Sequence, residues 1–237
     1  MDNQRKIQVN HYKDGTASVL RKAVIYQDLR FYQRSEVLYQ LTVLFCERYL
    51  PKYGDRTVDQ MVQAARSISA NIAEGSSDGQ TSMEVELKLL GIARGSNQEL
   101  LGDYQNYLKR KGMSEWFGQH PRFDQMHAFC RQHSRYEEYQ DLLPKLGDEE
   151  MANMAICLCH QVDKAMTSYI EKKDREFTTE GGIRERMTAA RLDQRATQKE
   201  IIAQQEQQIT ALTQQLNAAL QEIERLRKMM GESGAAG

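Results

Sequence analysis

The stretch from Thr57 to Ser76, TVDQMVQAARSISANIAEGS, constrains the fold more than any other part of the chain. Val58, Met61, Val62, Ala65, Ile68, Ser69 and Ile72 recur at three-and-four spacing, which lines them along one stripe of a helix. Such a helix needs other elements to cover the stripe. Thr57 and Gln60 have the spacing of a capping box, and Gly75 stands where a left-handed C-terminal cap is cheapest, so the helix is expected to begin and end within the stretch. The opposite face carries Gln60, Gln63, Ser67, Asn71 and Glu74. Short polar side chains there let another backbone come close, and Asn71 and Glu74 are expected to bond to neighbouring helices or loops rather than to a ligand.

Similar stripes recur on both sides of this one. From Asp28 toward Leu50 a helix carries Val37, Leu41, Leu44 and Phe45 on one face, and Pro51 with Gly54 ends it. Thr81 and Glu84 suggest a second capping box, opening a helix that runs to about Lys111. That helix places Val85, Leu89, Ile92 and Leu100 in one row and Met83, Leu87, Leu90, Leu101 and Leu108 nearly opposite, which predicts cover on two sides. Gly91, Gly95 and Gly102 share a further face. Each costs about 1 kcal/mol of helix propensity relative to alanine, so together they point to a close backbone approach. Arg94, within the second apolar row, needs an acidic partner if buried, and Glu74 is the expected one.

Residues 113–147, with Trp116, Phe117, Pro121, Phe123 and Pro144, read as small helices and turns. Met151, Met154, Ala155, Leu158, Val162, Ala165, Met166 and Tyr169 then mark a further long amphipathic helix. Short connections force antiparallel neighbours. The expected fold is therefore all-α: an up-down four-helix bundle over residues 28–182, with short helices inserted at 113–147. An N-terminal extension, 1–27, holds a turn signal at Asp14-Gly15 and apolar anchors at Val19, Leu20, Val24 and Ile25; its structure is left open.

Past Gly181-Gly182 the period changes. Ile202, Ile209, Leu216, Ile223 and Met230 repeat every seventh residue, with Gln205, Leu212, Ala219 and Leu226 at the intervening positions. A seam sustained over this length predicts a coiled coil in the segment 183–237, fraying at Gly234 to Gly237. The fold class is thus a helical bundle with a C-terminal coiled-coil helix.

Composition narrows the function classes. The three prolines, Pro51, Pro121 and Pro144, fall between helical patterns. No apolar run is long enough to span a bilayer, and polar residues follow Met1, so a cytoplasmic protein with no membrane partner is expected. Four cysteines, Cys46, Cys130, Cys157 and Cys159, are too sparse for a disulfide scaffold and are expected as reduced thiols. A net charge of −1 and a pI near 6.5 exclude a general positive field. Nucleic-acid binding would need local patches, for which Lys109, Arg110, Lys111, Arg184, Arg186, Arg191 and Arg195 are the candidates. Their structural alternative is pairing with Glu171, Asp174, Glu185 and Asp193 along helices.

His127, Cys130 and His133, and separately Cys157, Cys159 and His160, are two half-sites that could meet around zinc. Cysteine is a common small core residue and these histidines lie in a polar segment, so no metal site is expected. No glycine-rich oxyanion loop accompanies a Cys-His pair, and Gly75 to Gly79 lacks the lysine of a phosphate-binding loop. We therefore expect no catalytic residues, no cofactor, no small-molecule substrate and no enzymatic activity.

The run Ala65-Arg66-Ser67-Ile68-Ser69-Ala70-Asn71-Ile72-Ala73-Glu74-Gly75, with Ala93-Arg94-Gly95-Ser96 and Glu99-Leu100, resembles the bacterial four-helix-bundle proteins first met as open reading frames in ribosomal-RNA intervening sequences. The same superfamily includes the accessory variability protein of diversity-generating retroelements. Arg66, Ser67, Asn71, Glu74, Gly75, Arg94, Gly95, Ser96 and Glu99 carry the motif, in a structural capacity. Glu180 to Met187 further resembles the subgroup that has a suffix domain after the bundle. The resemblance implies a bundle that assembles as a ring, commonly a pentamer. In the retroelement branch it also implies a basic surface that binds nucleic acid and a reverse transcriptase. This chain departs from that pattern in its slight acidity and its long heptad tail. A non-enzymatic, homo-oligomeric scaffold or interaction protein is the expected function, and a ring-forming accessory to nucleic acid or a reverse transcriptase is the alternative.

Overall fold

The first long helix, α1, runs Arg30–Tyr49 in the computed structural model, which describes residues 10–11, 17–21, 24–51, 56–79 and 81–233. Val37, Leu38, Leu41 and Phe45 repeat along one face of α1 and are fully buried, while Leu44 packs at the edge. Two further helices, α2 (Thr57–Asp78) and α3 (Met83–Lys111), follow across short connections. A ten-residue helix, α4 (Phe123–Gln132), and two 3-10 turns at Tyr136–Glu138 and Leu143–Lys145 precede α5 (Asp148–Glu180). The last helix, α6, is Ile183–Ser233. A two-residue antiparallel pairing sets Asn10 opposite Ser18 and His11 opposite Ala17, as strands β1 and β2. Asp14-Gly15, Gly54 and Gly234 to Gly237 lie outside the described residues.

Four helices close into an up-down-up-down bundle in which α1 and α3 each pack on both α2 and α5. Cross-contacts fix the directions. Near the start of α5, Tyr49 at the end of α1 donates to the Leu146 carbonyl at 2.9 Å, and Tyr107 near the end of α3 donates to Asp148 at 2.9 Å. Farther along α5, Tyr169 stacks on Phe31 of α1 and donates to Glu86 of α3 at 2.8 Å. The connection carrying α4 lies over α1 and α5: Arg34 donates to the carbonyls of Cys130 and Arg131, and Arg48 to those of Leu143 and Pro144. Trp116, Tyr139 and Leu143 are its buried anchors.

Contacts divide the chain into two units, one of which includes residues 20–186 and the other residues 9–19 with 187–237. The α2 stripe is buried in the first as its spacing predicts, with Met61, Ala65, Ile68 and Ile72 wholly covered. The end of α2 differs from expectation. The helix passes through Gly75 without a left-handed residue and stops at Asp78, because a side chain at Gly75 would meet the Leu89 Cβ at 3.2 Å and the Glu86 carbonyl at 3.3 Å. Glycine there serves helix contact rather than helix termination. At the other end, Thr57 is the first helical residue and Arg56 occupies the cap position.

α3 also corrects the sequence reading. Its cap is Ser82, whose hydroxyl accepts from the Val85 N–H, while Thr81 donates back to Asp78. The covered face takes in most of the second predicted row, Met83, Leu90, Leu101 and Leu108, with Leu100 of the first, and extends over Glu86, Ala93, Asn97, Tyr104 and Tyr107, while Val85 and Ile92 of the first row are exposed. Asn97 holds its place by donating to the Cys159 carbonyl at 3.0 Å, and Tyr104 by donating to Thr42 at 3.0 Å. Polar groups bonded to other helices therefore sit within the face, and apolar periodicity alone does not find them. Gly112, at φ 66°, ends α3 in a Schellman arrangement, with Met113 donating to the Leu108 carbonyl at 3.0 Å.

Candidate functional site

The two segments that carry the family motif face each other across α2 and α3. Ser96 donates to the Ser67 hydroxyl at 2.9 Å, and Asn71 donates to the Ser67 carbonyl at 2.8 Å and to its hydroxyl at 3.1 Å. Asn71 thus bonds within α2 and not to the neighbouring helices or loops expected for it, and the bond that crosses to α3 is the serine pair. Glu74 is exposed on the outer side of α2. Arg94 pairs with Asp163 of α5, Nε to Oδ1 at 3.0 Å, and not with Glu74. Asp163 supplies the charge because Arg94 lies on the side of α3 that turns toward α5. The pair is partly solvated and stabilises the bundle by about 1 kcal/mol or less.

Beside the serine seam an open groove of about 760 Å³ is lined by Asp59, Gln63, Ser67, Ser96, Glu99 and Asp103. Its character is acidic. Burial, and next the charge of Glu99, push the Asp103 carboxyl above its ordinary value, with Arg110 acting the other way. Arg66, exposed on α2, lines a different groove with Tyr39, Val62 and Pro51. Among the motif residues Ser67 and Ser96 bond α2 to α3 and Arg94 bonds α3 to α5, while Arg66 and Glu74 are exposed on α2.

On the far side of α3, no other element among the described residues comes within 4 Å of a Cβ built at Gly91, Gly95 or Gly102. The close approach expected for these glycines is absent among the described residues, and Gly75 provides one instead. Val85 and Ile92, 38% and 46% exposed, lie at one edge of this open side.

The basic candidates divide. Lys109, Arg110 and Lys111 are exposed in the last turn of α3, where cations also complement the helix dipole. Arg184, Arg191 and Arg195 are exposed on α6. Arg186 is 5% exposed and donates to the Leu20 carbonyl at 3.3 Å, so it is a packing residue and leaves the set. Glu185 accepts from the Gly182 N–H at 3.0 Å and opens α6 as a cap.

The coiled-coil seam is formed but uncovered. From residue 191 to residue 228 every side chain of α6 is exposed. Among the seam positions, exposure runs from 48% at Ile223 through Leu226, Ile202 and Leu216 to 63% at Ile209 and Leu212. The side chain of Met230 lies outside the described residues.

The two cysteine-histidine half-sites do approach each other, through Cys130 of α4 and Cys157 of α5, each thiol lying close enough to act on the other. Among the described residues no three His, Cys, Asp or Glu side chains converge to hold an ion. The thiol pairing had a sequence signal in the two clusters, but nothing in the spacing says that one member of each would meet. No described helix is long and apolar enough to cross a membrane.

No curated protein and no solved structure matches the chain. A family model does, that of the 23S rRNA-intervening sequence protein, over residues 27–115. The match takes in α1, α2 and α3, with both halves of the Ser67–Ser96 seam and the Gly75 contact. Over these three helices, less than half of the chain, it is similar to the 23S rRNA-intervening sequence protein family.

Proposed function

We propose that the protein is a non-enzymatic scaffold that works as a homo-oligomer, joined through the outer side of α3 and through the α6 seam. The exposed heptad seam carries this proposal. A lone helix with isoleucine and leucine at every seam turn is marginal in water, and burying each such side chain contributes roughly 1.5–3 kcal/mol. A second copy offers the same seam in register, which makes like-with-like pairing the simplest cover. The glycines of α3 support the bundle contact, since their open side admits a neighbouring backbone beside Val85 and Ile92. The motif side chains support a structural role, because Ser67, Ser96 and Arg94 are engaged in helix-to-helix bonds, and Asn71 braces Ser67 from within α2.

Light scattering on the full chain at micromolar concentration tests the proposal against a subunit mass of 27.4 kDa. A multiple of that mass is expected, and a monomer overturns it. Placing aspartate at both Ile209 and Leu216 should lower the multiple while leaving the bundle folded.

The exposed cations Lys109, Arg110 and Lys111 favour a second reading, in which the oligomer binds nucleic acid weakly and without sequence preference. Repetition by symmetry would turn a local patch into an extended positive surface despite the net charge. Phosphate contacts release counterions, so binding should fall steeply with salt. Charge reversal at Arg110, Arg184 and Arg191 should abolish it without changing the mass. Absence of binding to RNA and DNA at low salt removes this reading and leaves the scaffold.

A further inference from the structure

Between α4 and α5 lies a cavity of about 260 Å³, walled by Trp116, Phe123, Met126, His127, His160 and Lys164, with Cys157 also in its lining. Cys157 is set apart from the other thiols by its neighbours. Its sulfur accepts from the Gln161 amide at 3.5 Å, and Cys130 and the buried guanidinium of Arg34 lie near enough to favour negative charge on it. Arg34 is fixed there by its bonds to the carbonyls of Cys130 and Arg131. Together these hold the Cys157 thiol below its ordinary value, the effect of Cys130 first, against the opposing effect of burial. Cys130 is driven the other way by its neighbour and by burial. Cys46 is pushed up to about 12, mainly by burial, and wholly buried Cys159 is also raised.

We propose that Cys157 and Cys130 are an oxidisable pair, in which a small hydroperoxide entering the cavity oxidises Cys157 and Cys130 then closes a disulfide between α4 and α5. In the first step the Cys157 thiolate attacks a peroxide oxygen, the O–O bond breaks, and the sulfur becomes a sulfenic acid as alkoxide or hydroxide leaves and takes a proton. In the second, Cys130 attacks that sulfur, the S–O bond breaks, and water leaves with the Cys130 proton. The protein loses two hydrogens in all and the peroxide is reduced to an alcohol or water. Both walls of the cavity are then tied together, and reduction by a dithiol restores them. The proposal is independent of the oligomer, since both thiols lie within one chain.

Hydrogen peroxide, added stoichiometrically to the full-length reduced protein, is the probe. Intact mass should fall by two hydrogens, and digestion after alkylation should give a linked Cys130–Cys157 peptide, with Cys46 and Cys159 alkylated only after unfolding. C130S should stop at a sulfenic acid on Cys157 that dimedone traps, and C157S should leave Cys130 unmodified over the same time. Circular dichroism establishes that each variant is folded, and dimedone competition on the wild type gives the same information without substitution. Oxidation of Cys46 or Cys159 as fast as Cys157 would overturn the proposal. So would an unlinked pair with no dimedone adduct in wild type or C130S.

Discussion

α3 and α6 carry the same spacing and meet opposite fates. The buried face of α3 runs through Met83, Glu86, Leu90, Ala93, Asn97, Leu100, Tyr104 and Tyr107 in alternating steps of three and four, with Leu101 and Leu108 buried beside it. The positions of the α6 seam are Ile202, Gln205, Ile209, Leu212, Leu216, Ala219, Ile223 and Leu226, in the same alternation and exposed throughout. The seam of α6 is the more apolar, with a single polar member against a glutamate and an asparagine in α3. Burial therefore does not follow from how apolar a stripe is. It follows from whether the chain brings partners to it: α3 lies between α2 and α5, and the described contacts give the seam of α6 no such pair. An amphipathic period states that a face will be covered and leaves open by whom.

That contrast can be attacked most directly with truncations of one large side chain in each region. Phe45→Ala, at a wholly buried ring in edge-to-face contact with Tyr104 and Tyr107, should cost the bundle about 3–5 kcal/mol in urea unfolding. Leu216→Ala should leave that transition unmoved and lower the oligomer's mass or its dissociation midpoint. Equal effects on the bundle from both would end the distinction. Glycines give a smaller test of the same kind. Gly75→Ala forces its new methyl against Leu89 and the Glu86 backbone and should destabilise by about 1–3 kcal/mol. Gly91→Ala, built into open space, should instead stabilise an isolated bundle by roughly 0.5–1 kcal/mol. Loss of oligomer mass in Gly91→Ala, despite that gain, would mark the outer side of α3 as a contact between copies.

The N-terminal cap of α3 comes next: Ser82→Ala should cost about 1 kcal/mol and Thr81→Ala less, because only the Ser82 hydroxyl accepts a first-turn N–H. The smallest effect concerns acid. Glu138 accepts from the N–H groups of Arg135 and Ser134, each at 2.8 Å, and these bonds hold its carboxyl below the ordinary value. A lowered folded value means stabilisation that is complete above the ordinary glutamate range and lost as pH falls through the lowered one. The gap in urea midpoint between wild type and E138Q should accordingly shrink on acidification, and a gap that widens would contradict the assignment.

What the sequence disclosed, and what it hid, follows the same division. The helices were legible because Leu41, Ile68 and Leu158 sit in long apolar periods that only a packed helix satisfies. The centre of the α3 face was hidden because Glu86, Asn97 and Tyr104 are buried by virtue of partners on other helices, and partners are not local. For the same reason Arg94 was matched to Glu74, an acid on the wrong helix. Gly75 resembled a terminator because glycine answers both to a left-handed turn and to a close approach, and the neighbouring helix decides which. In the candidate site, Asn71 reads as a partner for neighbouring helices or loops but bonds to Ser67 of its own helix, and the meeting of Cys130 with Cys157 depends on where α4 lies along α5.

Glu86 has a consequence for how far α3 can slide. It is wholly buried, ion-paired to Lys173 at 3.5 Å and bonded to Tyr169, and a side chain at Gly79 would run into its carboxylate. Displacing α3 along α5 by one turn would move its side chains by about 5.4 Å. The same displacement would strip the carboxylate of both partners and leave a buried charge uncompensated, at a cost of roughly 3–5 kcal/mol. Glu86 therefore works as a detent that holds α3 to one alignment. The α6 seam, with only Gln205 to interrupt its apolar run, has no charged stop of this kind, so copies pairing along it would settle their alignment by side-chain volume and by the bundles to which they are attached.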